Sequence, residues 1–124
     1  FSPRGVSMRP FIEGGRDKVI LQACTYPMVG MIVLAKINNS YVLHRIYKIQ
    51  NSQITLCGDG NLKSSERCTS EDIIGCVVQL KGKDGKLKRV TKGGVWRHLP
   101  TFIKRLYLKI YIAVTRIKSM EYED

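Results

Sequence analysis

The sequence predicts a mainly β fold closed by a C-terminal amphipathic α-helix. Three observations predict it. Short runs rich in β-branched and aromatic residues recur at close intervals between residues 18 and 80. Asn38-Asn39, Asn51-Ser52 and Asp84-Gly85 punctuate them, and such pairs accept the backbone geometry of tight hairpins. A three- and four-residue apolar periodicity is clear only in the last quarter of the chain.

Taken in order, residues 1–17 read as irregular, because Pro3, Gly5, Pro10, Gly14 and Gly15 interrupt them. Val19-Ile20-Leu21 centres a short strand over 18–23. The apolar run 31–37 is the next strand, and Asn38-Asn39 turns it into a third over 41–49. Asn51-Ser52 turns the chain again into 53–57, and Gly58-Asp59-Gly60-Asn61 forms a turn. Residues 62–72 are polar and read as a loop, or as a short helical turn starting near Thr69 or Ser70. Residues 73–80 form an apolar strand, and Asp84-Gly85 predicts a hairpin returning through 87–90. Lys81, Lys83, Lys86, Lys88, Arg89 and Lys92 make this hairpin basic. Lysines defend a solvated edge strand against pairing with other chains; an anion-binding ribbon is the alternative.

Pro100 suits the first turn of the helix. Leu99, Ile103, Leu106, Ile110, Val114 and Ile117 make one stripe, expected to pack on the rest of the chain. Arg105, Lys109 and Arg116 flank it on one side, with Lys104 and Lys118 towards the other. Leu108 and Ile112 fall roughly opposite, where water is expected, and read equally as a second contact with a membrane interface or a partner protein and as two stray exposed apolar residues on a docked helix. The organisation is therefore a β domain over 1–95 and a basic amphipathic helix over 96–120, in the same domain or touching a membrane or partner.

The 124 residues suffice for one domain with a modest core, and 44% apolar content excludes wholesale disorder. The net charge of +11, from 21 Lys and Arg against 10 Asp and Glu, favours an anionic partner. Nucleic acid and an anionic membrane surface are the two classes. Aromatic residues interleave poorly with the basic ones in 81–92, which argues against a single-strand nucleic-acid platform. Cys24, Cys57, Cys68 and Cys76 have no CxxC spacing, so zinc or dithiol redox chemistry is not expected and reduced thiols are. No apolar run reaches the ~18 residues of a membrane span, and no signal peptide is recognisable within these residues.

The stretch Gly5-Val6-Ser7-Met8-Arg9-Pro10 offers a serine bounded by Gly and Pro. A serine hydroxyl is a poor nucleophile until a neighbouring base takes its proton. The chain has two histidines. His98, among Arg97, Leu99 and Pro100, suits a surface role. His44 lies in a β-rich run with Val42 and Ile46 on its face. Spacing alone favours a buried, hydrogen-bonded structural histidine over a base.

In chain order, Gly5-Val6-Ser7-Met8-Arg9-Pro10, Tyr41-Val42-Leu43-His44-Arg45-Ile46 and Cys57-Gly58-Asp59-Gly60-Asn61 resemble the signal peptidase I and LexA-type self-cleaving repressor superfamily of serine peptidases. Gly5, Ser7, Met8 and Pro10 fill its Gly-x-Ser-Met-x-Pro nucleophile segment. His44-Arg45-Ile46 is similar to the endoplasmic-reticulum type, which has His where bacterial signal peptidases and LexA-type repressors have Lys. Gly58-Asp59 matches a Gly-Asp turn, and Asp72-Ile73-Ile74-Gly75 resembles a later strand entry. The resemblance spans residues 4–80 and leaves the basic hairpin and the helix without a counterpart.

The resemblance implies a signal-peptidase-like fold of coiled antiparallel β-sheets and a serine endopeptidase that cuts leader or signal segments after small residues. Ser7 is then the nucleophile, His44 the general base and Asp59 the group that holds the imidazole. Gly5 and Met8 support an oxyanion site of backbone N–H groups around Ser7. No metal or organic cofactor is implied. The expected partners are a peptide or protein substrate and an anionic membrane surface through residues 97–118, and not nucleic acid. The location implied is membrane-associated or cytoplasmic, in a bacterial-type chain.

Departures from the pattern are specific. Gly30-Met31 stands where Gly-Asp is expected, and Gly14-Gly15-Arg16-Asp17 carries an insertion. Gly5 lacks the hydroxyl that some relatives use as an oxyanion donor. Ser65 occupies the place of a further Asp, which leaves Glu66 or Asp72 as alternatives to Asp59 for the third member of a triad. A LexA-type self-cleaving regulator and a non-catalytic basic binding module are the alternative functions.

Overall fold

The computed structural model describes residues 7–61, 64–82, 84–90 and 94–123, with the side chains of its last segment described over 96–116. Gly5 lies outside the described residues. The fold is mainly β, as the sequence predicts: seven strands in one antiparallel sheet, followed by helix. The strands are β1 (Lys18–Gln22), β2 (Ile32–Ile37), β3 (Ser40–Gln50), β4 (Gln53–Cys57), β5 (Glu66–Cys68), β6 (Ile73–Lys81) and β7 (Leu87–Arg89). Their order is β1-β6-β2-β3-β4-β5, and β7 also pairs with β6.

Turn chemistry sets the registers. Asn38 and Asn39 take φ of 50° and 65°, and Asn51 and Ser52 take 50° and 66°. Two successive positive φ values define the hairpin turn whose twist matches the flanking strands. The turns lock Ile37 opposite Ser40 and Gln50 opposite Gln53. Irregularities at Ile20/Leu21, Leu34/Ala35 and Ile46/Lys48 bend the strands.

The sheet coils around β2, which is buried on both faces. Val33 and Ala35 pack with Ile46, Ile54, Leu56 and Cys68 on one side. Ile32 joins Met8, Ile12, Val19 and Val77 on the other. A side chain that alternates across a strand reaches one face only, so the two clusters are separate cores. The second core is completed by the segment carrying Ser7. Burying Met8 there contributes about 1.5–3 kcal/mol.

Two expectations need correction. Residues 66–68, read as loop, form β5, which pairs Ile54 with Cys68 and Leu56 with Glu66. Three residues at a sheet edge show too little alternation to be recognised. The 3₁₀ turn Ser70–Asp72 does follow where a helical turn is expected, capped by Thr69.

The second correction concerns the helix. It is divided into α1 (Gly94–His98) and α2 (Thr101–Glu123). Leu99 precedes Pro100, which disfavours helical geometry there, and the Pro100 carbonyl then accepts from Ile103 and Lys104 N–H, both at 3.1 Å. The stripe expected to pack faces outward instead: Leu106 is 59% and Ile110 57% exposed, with Ile103 and Val114 also exposed. Leu108 and Ile112, expected in water, are half-buried. The reason is polar anchoring. Lys104 is buried against the Tyr47 ring, and Tyr111 donates to Glu13 Oε2 at 3.3 Å. These contacts turn α2 away from its most apolar face. Ile117 and Lys118 fall outside the described side chains.

Among the described residues, no helix is long and apolar enough to cross a membrane. The four cysteines are free thiols; Cys68 is buried and the others half-buried.

Candidate active site

The turn that begins at Ser7 is held from both ends. The Met8 carbonyl accepts from Phe11 and Ile12 N–H at 3.0 Å each, and the Ser7 carbonyl accepts from Gly60 N–H at 2.7 Å. Asp59 N–H points at Met8 Sδ, 3.5 Å away. Arg9 clamps Glu13 at 2.7 Å, closing the same turn. Met8, expected as oxyanion support, thus has a side chain that anchors the Ser7 turn in the core.

This anchoring brings Ser7 to His44. Ser7 Oγ lies 3.1 Å from His44 Nε2, and the imidazole is buried. Its other nitrogen, Nδ1, lies 2.8 Å from Glu66 Oε2. The three side chains form one hydrogen-bonded line from hydroxyl to carboxylate. Gly58 closes over them. A Cβ at Gly58 would run into the Ser7 carbonyl oxygen and lie 3.1 Å from His44 Nε2. The glycine is thus required by close approach rather than by backbone dihedral.

Asp59, expected behind the imidazole, is elsewhere. Arg45 Nη2 donates to Asp59 Oδ2 at 2.8 Å, and Arg45 Nε reaches both carboxylate oxygens at 3.0 Å. Both residues are wholly buried. Arg45 also donates to the Gly30 carbonyl at 2.9 Å and lies over the Phe11 ring. Strand parity explains the swap. His44 and Arg45 are neighbours, so they point to opposite faces. Cys57 pairs with Arg45, and Asp59 follows two residues later. Glu66 pairs with Leu56, which pairs with Ile46, on the His44 face. The acid two strands across therefore meets the histidine, and Asp59 meets the arginine.

Asp59 holds other parts of the molecule. Tyr47 Oη donates to its carboxylate at 3.2 Å, and Trp96 Nε1 to its carbonyl at 3.0 Å. Burial pushes the Asp59 carboxyl up, while Arg45 and the Tyr47 hydroxyl pull it down. Burial and the adjacent Asp59 carboxylate push the Tyr47 phenol up. Trp96 meets Phe11 and Tyr107 edge to face, with centroids at 6.0 and 5.4 Å. A helical residue outside the motif-bearing region therefore buttresses the Ser7 turn. Its only sequence signal is that it is the chain's single tryptophan.

Asp72, the remaining alternative, caps its own 3₁₀ turn by accepting from Thr69 N–H at 2.9 Å. Asp17 accepts from Glu13 N–H at 2.8 Å and closes the turn after the Ser7 segment. Among the described residues no group of three His, Cys, Asp or Glu side chains converges as a metal site needs.

Comparison with family models, curated proteins and solved structures returns no match. The site's own geometry therefore carries the functional reading.

Proposed function

We propose that the chain is a serine endopeptidase of the signal peptidase type, in which Ser7 is the nucleophile, His44 the general base and Glu66 the group that orients it. The observation that carries this reading is the line of contacts at 3.1 and 2.8 Å through the two imidazole nitrogens. With Glu66 accepting from Nδ1–H, Nε2 presents its lone pair to the serine hydroxyl. Ser7 Oγ attacks the scissile carbonyl and its proton passes to Nε2. The tetrahedral intermediate collapses, the amine leaves with that proton, and water hydrolyses the acyl-enzyme by the reverse sequence. Main-chain N–H groups at the Ser7 turn would meet the oxyanion.

The substrate class, leader or signal segments cut after small residues, follows from the resemblance. The test is incubation with leader peptides and mass spectrometry of the products. Cleavage should vanish in Ser7→Ala and His44→Ala. Full cleavage by His44→Ala would overturn the dyad.

We also infer that α2 docks on an anionic lipid surface. Phe102, Leu106 and Ile110 stand exposed on one face of it. Arg105, Lys109 and Arg116 border that face, and residues 101–118 contain no acid. An in-plane helix with apolar and cationic rows suits a lipid interface, whereas a second copy of a chain carrying +11 would be repelled. Sedimentation with phosphatidylglycerol vesicles, but not phosphatidylcholine vesicles, is expected. Leu106→Glu with Ile110→Glu should abolish it. Absence of vesicle binding, or a dimer that these substitutions dissolve, would overturn the inference.

A further inference from the structure

We infer that a cavity beside the dyad is a subsite for an acidic side chain of the substrate. The inference rests on the peptidase reading and adds a substrate preference that the resemblance does not carry. The cavity has a volume of about 260 Å³, and its walls include Tyr47, Gly58, Asn61, Ser64 and Lys104. That volume lies below the ~300 Å³ at which drug-sized ligand pockets begin, so it suits one side chain. Gly58 is the shared wall: it faces this cavity and lies against His44 Nε2 and the Ser7 carbonyl. A substrate held at Ser7 would therefore place a nearby residue here.

Lys104 decides the chemistry. It is only 8% exposed. Its ammonium reaches the Arg97 carbonyl at a long 3.4 Å and lies 5.5 Å from the Tyr47 ring centroid. Among the described residues it forms no ion pair with a carboxylate. Asp59 feels the Lys104 charge, but its carboxylate is held directly by Arg45, and that of Glu66 by His44. Lys104 also sits in the first turn of α2, which contains no acid. There the helix dipole is positive and opposes a cation. A buried cation so placed calls for an anion.

The remaining walls fit that anion. Asn61 and Ser64 supply an amide and a hydroxyl, already within 3.0 Å of each other. Such neutral donors complete the hydrogen bonding of a carboxylate without adding competing charge. A glutamate or aspartate side chain would give Lys104 the direct carboxylate contact that Asp59, held by Arg45, does not. A lysine side chain would meet Lys104 in the same confined space.

The test separates binding from cleavage. Fluorescein-labelled octapeptides of Ala background, with Glu, Gln or Lys walked through each position, are titrated against the Ser7→Ala protein by anisotropy. Glu at one position should bind about tenfold or more tighter than Gln, the scale of a charge-assisted hydrogen bond. Lys104→Met should erase this difference and Lys104→Arg should keep it. The Glu-to-Gln comparison uses the unchanged Lys104 protein and so stands even where Lys104→Met fails to fold. Equal binding of Glu and Gln peptides, or no binding of any Glu peptide, would overturn the subsite. A Glu preference in Ser7→Ala, with no cleavage of the same peptides by the unsubstituted protein, keeps the subsite and removes the peptidase reading. Cleavage without that preference does the reverse.

Discussion

Arg45 and Asp59 form a wholly buried ion pair, with Arg45 Nη2 2.8 Å from Asp59 Oδ2, immediately beside the strand position that carries His44. The pair separates two tasks that adjacent residues would otherwise confuse. His44 faces Ser7 and Glu66. Arg45 faces the turn at Asp59, which in turn touches Met8, Tyr47 and Trp96.

Breaking that pair should damage stability first. Asp59→Asn leaves the Arg45 guanidinium buried without a counter-charge, a loss of about 3–5 kcal/mol. Urea unfolding should show this. At temperatures where the variant remains folded, cleavage should persist with its pH profile unchanged. An intact fold combined with abolished cleavage would return Asp59 to the imidazole.

Glu66→Gln should have the opposite signature. Glu66 lies on an edge strand and is partly exposed, so the midpoint of unfolding should move little. The imidazole loses its orienting carboxylate, and kcat should fall by about 10²-fold or more with KM little changed. A kcat within a factor of about two would exclude Glu66 from the mechanism.

At Gly58 the constraint is steric. The methyl of Gly58→Ala would meet the Ser7 carbonyl oxygen and His44 Nε2. Overpacking of this kind costs about 1–3 kcal/mol. The Ser7–His44 contact must open to relieve it, so cleavage should be lost while circular dichroism still reports the β fold. Unimpaired cleavage by Gly58→Ala would show that the closure over the dyad is dispensable.

Asp17 gives a pH dependence with a definite sign. Burial pushes its carboxyl up, but the Arg16 hydrogen bond and the Glu13 N–H outweigh burial and hold it below the ordinary 3.8. A carboxyl depressed by folding adds stability above its unfolded value, which is lost as pH falls through the folded value. Asp17→Asn should therefore be destabilising at neutral pH, and the gap to the unsubstituted protein should narrow below 3.8. Thermal melts across that range check it; a gap that stays constant would remove Asp17 from the acid response.

Most of the fold was written in local chemistry. Asn38-Asn39 and Asn51-Ser52 specify two-residue turns because their side chains tolerate positive φ, and the alternation in the strands between them follows. The motif residues Ser7 and His44 were also legible, and their meeting at 3.1 Å follows from Met8 and Gly60 fastening the Ser7 turn to the sheet. The short range of sequence signals limited the rest. Glu66 belongs to a strand of three residues whose partner is ten positions away, and only the sheet's cross-strand rows reveal which acid shares the His44 face. Asp59 is the acid the sequence favours, and strand parity sends it to Arg45 instead. The helix shows the same limit. Its periodicity identified α2, but apolar content chose the wrong side to pack, because Lys104 and Tyr111 had partners on the β domain that lie far away in the chain. Local sequence thus determined the strands other than β5, the turns and the candidate nucleophile and base. Tertiary structure alone decided which acid meets His44 and which face of the last helix meets solvent, since both depend on pairings between residues distant in the chain.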